Sequence, residues 1–469
     1  MKQRGEETER IEGYWSFDIE GKRKVPGVLE LSPGDFHRLR LLGSLDPPEK
    51  GFGSQKRSTI FGRSLQGQKY TLCRAGSNKY ALNLPGHATQ SFTAGVVLVG
   101  GHFPDDLSTH WSSIKVQYDG LEEWVHRSGF SGWGQIGEGG THELKYTHPE
   151  TASAALSDGT EIEISFIFDP GSSVSPGVEY RLRQRCYLRI TPVAPMTLQA
   201  LLDLAGRARD FVALGLGSPL KVRETSLRCV DPNAANGADL SNSWVDVRHM
   251  SADSQPWLSP SEGSSIYHLD DVATGIADCL SNWFEKYEHL KPTFNLLASV
   301  EYSREMYSHL RFLSLVQATE TFHRRTRPGY DLREALHTER IQNILSLTPK
   351  QYRGWLQDKL NYSNEITLRQ RLNSLAEEYS AHLERELGTV KEFVDLVTDS
   401  RNYYTHYSDD LREKAATGLK LYLTVVRLTL LLKIMLLSEA GFPPAILEKQ
   451  VKVFAPTIKS LKQQIEQSA

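Results

Sequence analysis

Leu421 to Leu437 reads LYLTVVRLTLLLKIMLL, the most apolar run in the chain. Its length suits either a membrane span or the central helix of a bundle, and Arg427 and Lys433 decide between them. A spanning helix would carry both charges into hydrocarbon at roughly 2.5–3.5 kcal/mol each on insertion scales. A buried helix of a helical bundle is therefore expected, with no membrane partner. Asp410 and Glu413 have the three-residue spacing of a capping box that would start this helix, and Gly441–Phe442–Pro443–Pro444 would end it.

Working outward, a last helix is expected from Ala445, and the helical pattern reaches back to about residue 266. Asp270–Asp271 would cap a helix reaching about Glu288. Others are expected over Arg304–Arg325, Asp331–Leu345, Pro349–Leu360, Thr367–His382 and Val390 to about Tyr404. Before residue 265 the period changes. Ile162, Ile164, Phe166 and Phe168 alternate with Glu161, Glu163 and Ser165, the mark of a half-buried strand, and Tyr180–Ile190 repeats the contrast. One helix, Thr197 to Leu214, interrupts the strands. The expected order is a flexible N-terminus (1–10), a β-rich domain (11–250), a Pro- and Ser-rich linker (251–265) and a helical domain (266–469). The fold class is α+β: a β-sandwich-like domain followed by an all-α bundle.

Composition narrows the function. The 54 Lys and Arg against 57 Asp and Glu leave a net charge of −3, so any nucleic-acid binding must rest on a local patch. The charged start MKQRGEETER has no apolar core of a signal peptide. Cys73, Cys186, Cys229 and Cys279 form no CxxC pair, which fits a cytoplasmic chain without a zinc ribbon or disulfide framework. Gly129–Gly140 lacks the Gly-Lys-Ser/Thr of a phosphate loop and reads as a loop or hairpin. His87, His102, His110, His126, His142 and His148 show no ligand spacing, so no metal and no cofactor are expected. Trp111, Trp124 and Trp133 suit a sugar groove, but no carboxylate pair accompanies them.

The chemistry-bearing stretch is SRNYYTHYSDD, Ser400 to Asp410. Five steps along an α-helix turn by about 500°, so Arg401 and His406 would point about 140° apart on a straight one. Asn402 and His406, at i and i+4, share a face. A helix break after His406 would let that histidine swing towards Arg401. Such a pair suits RNA cleavage without a metal: histidine moves a proton at neutral pH, and a guanidinium matches a charged phosphorane. Asn402 would orient the imidazole or hold a phosphate. The alternative is a surface Arg and His near a helix C-terminus, where cations are favoured. Glu320 would either pair with Arg401 inside the bundle or be a solvated glutamate beside the stripe Phe312, Leu315, Thr319, Phe322. Arg324, Arg325 and Arg327, next to His323, form the dense basic cluster of this half. They would either track an RNA backbone or cap a helix end. Tyr404, with Tyr403 and Tyr407, would stack on bases or pack the corner.

RNYYTH, between the last two long helices of a bundle, resembles the signature of HEPN domains. FLSLVQATETFHRR (Phe312–Arg325) resembles the first long HEPN helix of the ApeA family of bacterial anti-phage proteins. GYWSFDIEGKRKVPGVLELSPGDFHRLRLLGSL and IFGRSLQGQKYTLCRAG resemble that family's β-rich N-terminal domain. The resemblance implies a metal-independent endoribonuclease of abortive infection, with Arg401 and His406 catalytic and RNA, by analogy tRNA, as substrate. It also implies a homodimer or higher even oligomer through the HEPN domain, with two motifs facing each other, and an N-terminal domain that either senses a phage-derived trigger or restrains the activity. The competing expectation is a non-catalytic HEPN scaffold that binds RNA or a protein.

Overall fold

The computed structural model describes residues 8–468 apart from 34, 47–57, 83–87, 105–108, 135–139, 172, 176–178, 231–243, 250–264, 273, 274 and 304. The expected N-terminal tail up to residue 7, His87 and the expected linker up to residue 264 lie outside the described residues. The chain forms two compact units, residues 1–277 and 278–469.

In the first unit six antiparallel strands close a barrel. They are β1 (Glu9–Ser16), β2 (Val25–Leu31), β3 (His37–Leu41), β4 (Ser58–Ser64), β5 (Lys69–Leu82) and β6 (Ala88–Ala94). The order β5-β4-β1-β2-β3-β6 returns to β5, so the ring has no edge. Alternation explains the strands: His37, Leu39 and Leu41 of β3 are buried while Arg38 and Arg40 are exposed. Trp15, Leu29, Leu39, Ile60, Leu72 and Phe92 fill the interior. Gly62 lies so close to the Trp15 ring that an added Cβ would meet it at 2.1 Å.

The long β5 serves two sheets. Its first half also pairs β7 (Val96–Val99) and its second half pairs β6, and Arg74 takes a left-handed φ of 48° near the switch. From β7 an open antiparallel sheet runs through β18 (Trp244–His249), β17 (Val222–Cys229), β8 (His110–Tyr118), β15 (Arg183–Thr191), β12 (Glu161–Asp169) and β11 (Ala152–Ala155). The period-two segment is β12, with Ile162, Ile164 and Phe166 buried. The glycine-rich stretch is a hairpin of β9 (Phe130–Gly134) and β10 (His142–Tyr146). Two short strands, β13 (Ser173–Ser175) and β14 (Glu179–Tyr180), pair with each other, and β16 (Met196–Thr197) pairs β8. The expected helix is present after a short α1 (Leu121–Val125): α2 (Leu198–Leu216) starts at Thr197, whose side chain accepts from the Ala200 amide. It lies on β8, where the Tyr118 hydroxyl donates to the Ala205 carbonyl at 2.8 Å.

Residues 265–272 pack on this β unit. Tyr267 is buried against Trp124 and Phe211 and donates to the Phe211 carbonyl at 2.5 Å. Asp270 does not cap a helix as expected. Arg127 binds it in a fork at 2.5–3.1 Å, in a 3-10 turn, and the helix starts at Ile276 instead.

The second unit is helical: α3 (Ile276–Tyr302), α4 (Ser308–Thr326), α5 (Glu334–Leu347), α6 (Lys350–Leu360), α7 (Leu368–Glu378), α8 (Ser380–Leu387), α9 (Val390–His406), α10 (Gly418–Glu439) and α11 (Pro444–Ser468). A β-rich half followed by a helical half bears out the α+β class. α10 holds the opening apolar run. It is long and apolar enough to cross a membrane, yet 83% of its most apolar window is buried inside the unit. Its two charges have partners: Lys433 pairs with Glu301 at 2.7 Å and Arg427 donates to the Glu386 carbonyl at 2.9 Å.

The capping box at Asp410 and Glu413 does not start α10. Asp409–Leu411 is a 3-10 turn, and residues 412–417 lie back on α9. The buried Ala416 amide donates to Ser400 Oγ, and its carbonyl accepts from the Tyr404 hydroxyl, both at 2.8 Å. Gly418 has a left-handed φ of 51°, which an unbroken right-handed helix from Asp410 could not pass through.

Candidate active site

α9 carries the Arg–His stretch at its C-terminal end. Phe393, Val394, Val397, Thr398 and Ser400 form its buried face. On α7, Arg369 binds both Asp395 and Asp399 and fixes the helix from the side. These contacts leave the last turn to present Arg401 and Asn402 half-buried and His406 exposed.

The helix runs past the expected end near Tyr404. His406 is still helical, and the expected break follows it, where Tyr407 takes φ 51° and ψ 37° and its amide donates to the Tyr403 carbonyl. The expected swing of His406 towards Arg401 therefore does not occur. Both stay on one straight turn with side chains about 140° apart. The Arg401 guanidinium donates to Asn402 Oδ1 at 3.1 Å. Asn402 is thus engaged by Arg401, although its position shares the His406 face.

Glu320 does not reach Arg401. It binds Arg324 one helical turn away at 3.0 Å, and Arg324 also binds Glu365 at 2.8 Å. The rest of the basic cluster is also engaged within the chain. Pro292 has no N–H and frees a carbonyl inside α3, where Arg325 donates to the carbonyls of Glu288 and His289 at 2.6 and 2.8 Å. Arg327 forks onto Glu378 and binds Glu439 at 2.8 Å, which raises its pKa further. These three guanidinium groups hold α3, α4, α7 and α10 together.

Other cations lie beside the motif. Arg412 and Lys414 are exposed on the segment that folds back on α9 and Lys420 on the first turn of α10, and among the described residues no ion pair engages them. Aromatic rings gather at the same end. Tyr403 and Tyr407 meet edge to face at 5.5 Å, and Tyr404 packs between Phe312 and His309 of α4. Tyr404 is pinned by its hydroxyl, whereas Tyr407 is 60% exposed. Sequence reading missed Arg412, Lys414, Lys420 and His309. The three cations sit in a stretch that reads as a helix start, and His309 lies far from the motif along the chain. Among the described residues no group of three or more His, Cys, Asp or Glu side chains converges as a metal site.

The family comparison agrees with this architecture. A model of ApeA N-terminal domain 1 matches residues 10–283, and a model of the Apea-like HEPN domain matches residues 313–445. No curated protein and no solved structure matches the chain. The HEPN match spans α4, the basic cluster, α9 and α10, and the N-terminal match spans the barrel and the open sheet. The chain belongs to the ApeA family, with an ApeA N-terminal domain followed by an Apea-like HEPN domain.

Proposed function

We propose that the protein is a metal-independent endoribonuclease of cytoplasmic anti-phage defence that works as a homodimer through its HEPN domain. The observation that carries this reading is the end of α9: Arg401 and Asn402 are half-buried and hydrogen-bonded, His406 is exposed, and the exposed cations Arg412, Lys414 and Lys420 follow within the next turn-and-helix start of the chain. Single-step cleavage needs a base to take the ribose 2′-hydroxyl proton and an acid to protonate the leaving 5′-oxygen. His406 suits either task, and Arg401 suits the phosphorane oxygens. The 2′-oxygen bonds to phosphorus as the bond to the 5′-oxygen breaks, leaving a 2′,3′-cyclic phosphate and a 5′-hydroxyl. Arg401 and His406 diverge on one helix, so a second copy related by a two-fold axis would complete each site. The N-terminal domain would sense a phage-derived trigger. A cleft of about 420 Å³ lined by Phe36, Cys73, Val96 and Leu198 offers it a place to bind.

The same divergence favours one other reading, a scaffold that binds RNA without cutting it. Incubating the purified protein with total RNA, tRNA included, in EDTA separates the two. The nuclease yields fragments with cyclic-phosphate and 5′-hydroxyl ends. Intact RNA, or cleavage that requires an added divalent ion, would reject it.

A further inference from the structure

Tyr307, the residue just before α4, is 73% exposed. Its ring stacks on His309 with centroids 5.9 Å apart and planes 23° apart, and His309 stacks on Tyr404 at 6.0 Å and 20°. Three near-parallel rings thus form a ladder from α9 outward. Such offset stacks lie within the favourable range for aromatic pairs. The ladder is anchored at its inner end, where the Tyr404 hydroxyl donates to the Ala416 carbonyl and its ring meets Phe312 edge to face. It is also braced at its outer end. Arg311 donates from all three guanidinium nitrogens to the carbonyls of Val300, Ser303 and Met306, fixing the chain that delivers Tyr307.

Tyr404 lies three residues from Arg401 and two from His406, so the ladder starts at the proposed reacting centre. Its outer ring presents a flat face to solvent. An aliphatic partner would gain only burial on this face. A planar π-system would continue the stack, and a nucleobase has one whatever its identity. We propose that Tyr307 is the stacking platform for an unpaired base that flanks the cleavage site, two rings out from Tyr404. The proposal rests on the RNA reading of the site and adds to it the residue that holds that base. Bases in a duplex are already stacked and paired, and flipping one out costs a few kcal/mol.

The test uses the full-length protein and a short 2′-O-methyl RNA carrying one 2-aminopurine. This strand cannot be cleaved, and its fluorescence falls on stacking. Binding of the single strand should quench the probe, and annealing the complement should abolish binding. Tyr307→Ala should weaken binding roughly tenfold to 100-fold and relieve the quench, while Tyr307→Phe should keep both. The exposure of Tyr307 leaves folding of either variant unaffected, which the thermal midpoint checks. Unchanged quenching in Tyr307→Ala, equal binding of the duplex, or a change confined to dimer dissociation would overturn the platform. The two levels separate cleanly. If wild-type protein cuts no RNA yet quenches the probe through Tyr307, the nuclease reading fails and the platform stands. If it cuts RNA and Tyr307→Ala binds like wild type, only the platform fails.

Discussion

His406→Ala should lower the rate of the proposed RNA cleavage by about 10²–10⁴-fold, the usual loss when a general acid or base is removed. Arg401→Ala lowers it by about 10²–10³-fold, the loss expected when one donor to a charged transition state is deleted. The stronger form of the prediction uses both variants in one tube. Arg401 and His406 point about 140° apart on one helix, so in the proposed dimer each site would take its arginine from one subunit and its histidine from the other. In a mixed dimer one site then lacks both groups while the other keeps both. Statistical mixing of the two dead proteins should recover about a quarter of wild-type activity, as two-fold symmetry requires. A mixture as inert as its components would assign both residues to the same subunit's site. Neither side chain belongs to the buried face of α9, so loss of activity should come with an unchanged melting temperature.

The second large effect concerns stability in acid. His323 is 2% exposed in the helical unit, and its Nδ1 lies 3.1 Å from Arg371 Nη1. Arg371 carries only N–H donors, so the ring nitrogen must accept and the imidazole must be neutral. Burial lowers the His323 pKa from 6.5 to about 4, helped by the charges of Arg371, Arg327 and Arg324, with Glu378 opposing them. The unfolded chain takes up a proton near pH 6.5, whereas the native chain resists until about pH 4. Within that window the unfolded state holds more protons, so stability is full above it and falls as the pH drops through it. The loss amounts to about 3 kcal/mol at 1.36 kcal/mol per pKa unit. His323→Gln keeps an acceptor for Arg371 and cannot titrate. The melting temperature of wild type should therefore fall relative to the variant between pH 6.5 and 4.5 and track it above pH 7. His37 of the barrel, which burial also lowers to about 4, is common to both proteins and cancels in the comparison. A constant difference across the whole range would remove His323 as the titrating group.

Period and length made the two architectures legible. The alternation in β12 and the apolar run in α10 leave little choice, because each is read over many residues that agree. Single-residue signals fared worse where long-range contacts outweigh local ones. Asp410 and Glu413 match a capping box, yet Ala415 and Ala416 are buried against α9 and Gly418 is left-handed. Arg324, Arg325 and Arg327 read as an RNA track because their partners lie far along the chain: Glu365, Glu378 and Glu439 are 41, 51 and 112 residues away from the arginines they bind, and Arg325 answers a carbonyl freed by Pro292. Glu320 was expected to meet Arg401 or solvent, whereas the local i+4 spacing to Arg324 is what decides its partner. The Arg401–His406 divergence followed from rotation alone, and the break falls after His406 as expected, but it comes too late to turn that histidine towards Arg401.

The arm formed by α5 and α6 has a distinct dynamic consequence. Neither helix has a fully buried residue, and Leu347, Trp355 and Tyr362 are largely exposed. Its root is stitched shut, since Tyr330 bridges to Glu365, the Asp331 amide donates to the Asn364 carbonyl, and Asn364 bonds both backbone groups of Leu332. A segment with few buried contacts and joined ends opens as its own cooperative unit, at a fraction of the global free energy. Its amide protons should exchange with solvent deuterium well before those of α10, without dependence on denaturant strong enough to unfold the bundle. The arm should therefore open without the rest of the helical unit having to unfold.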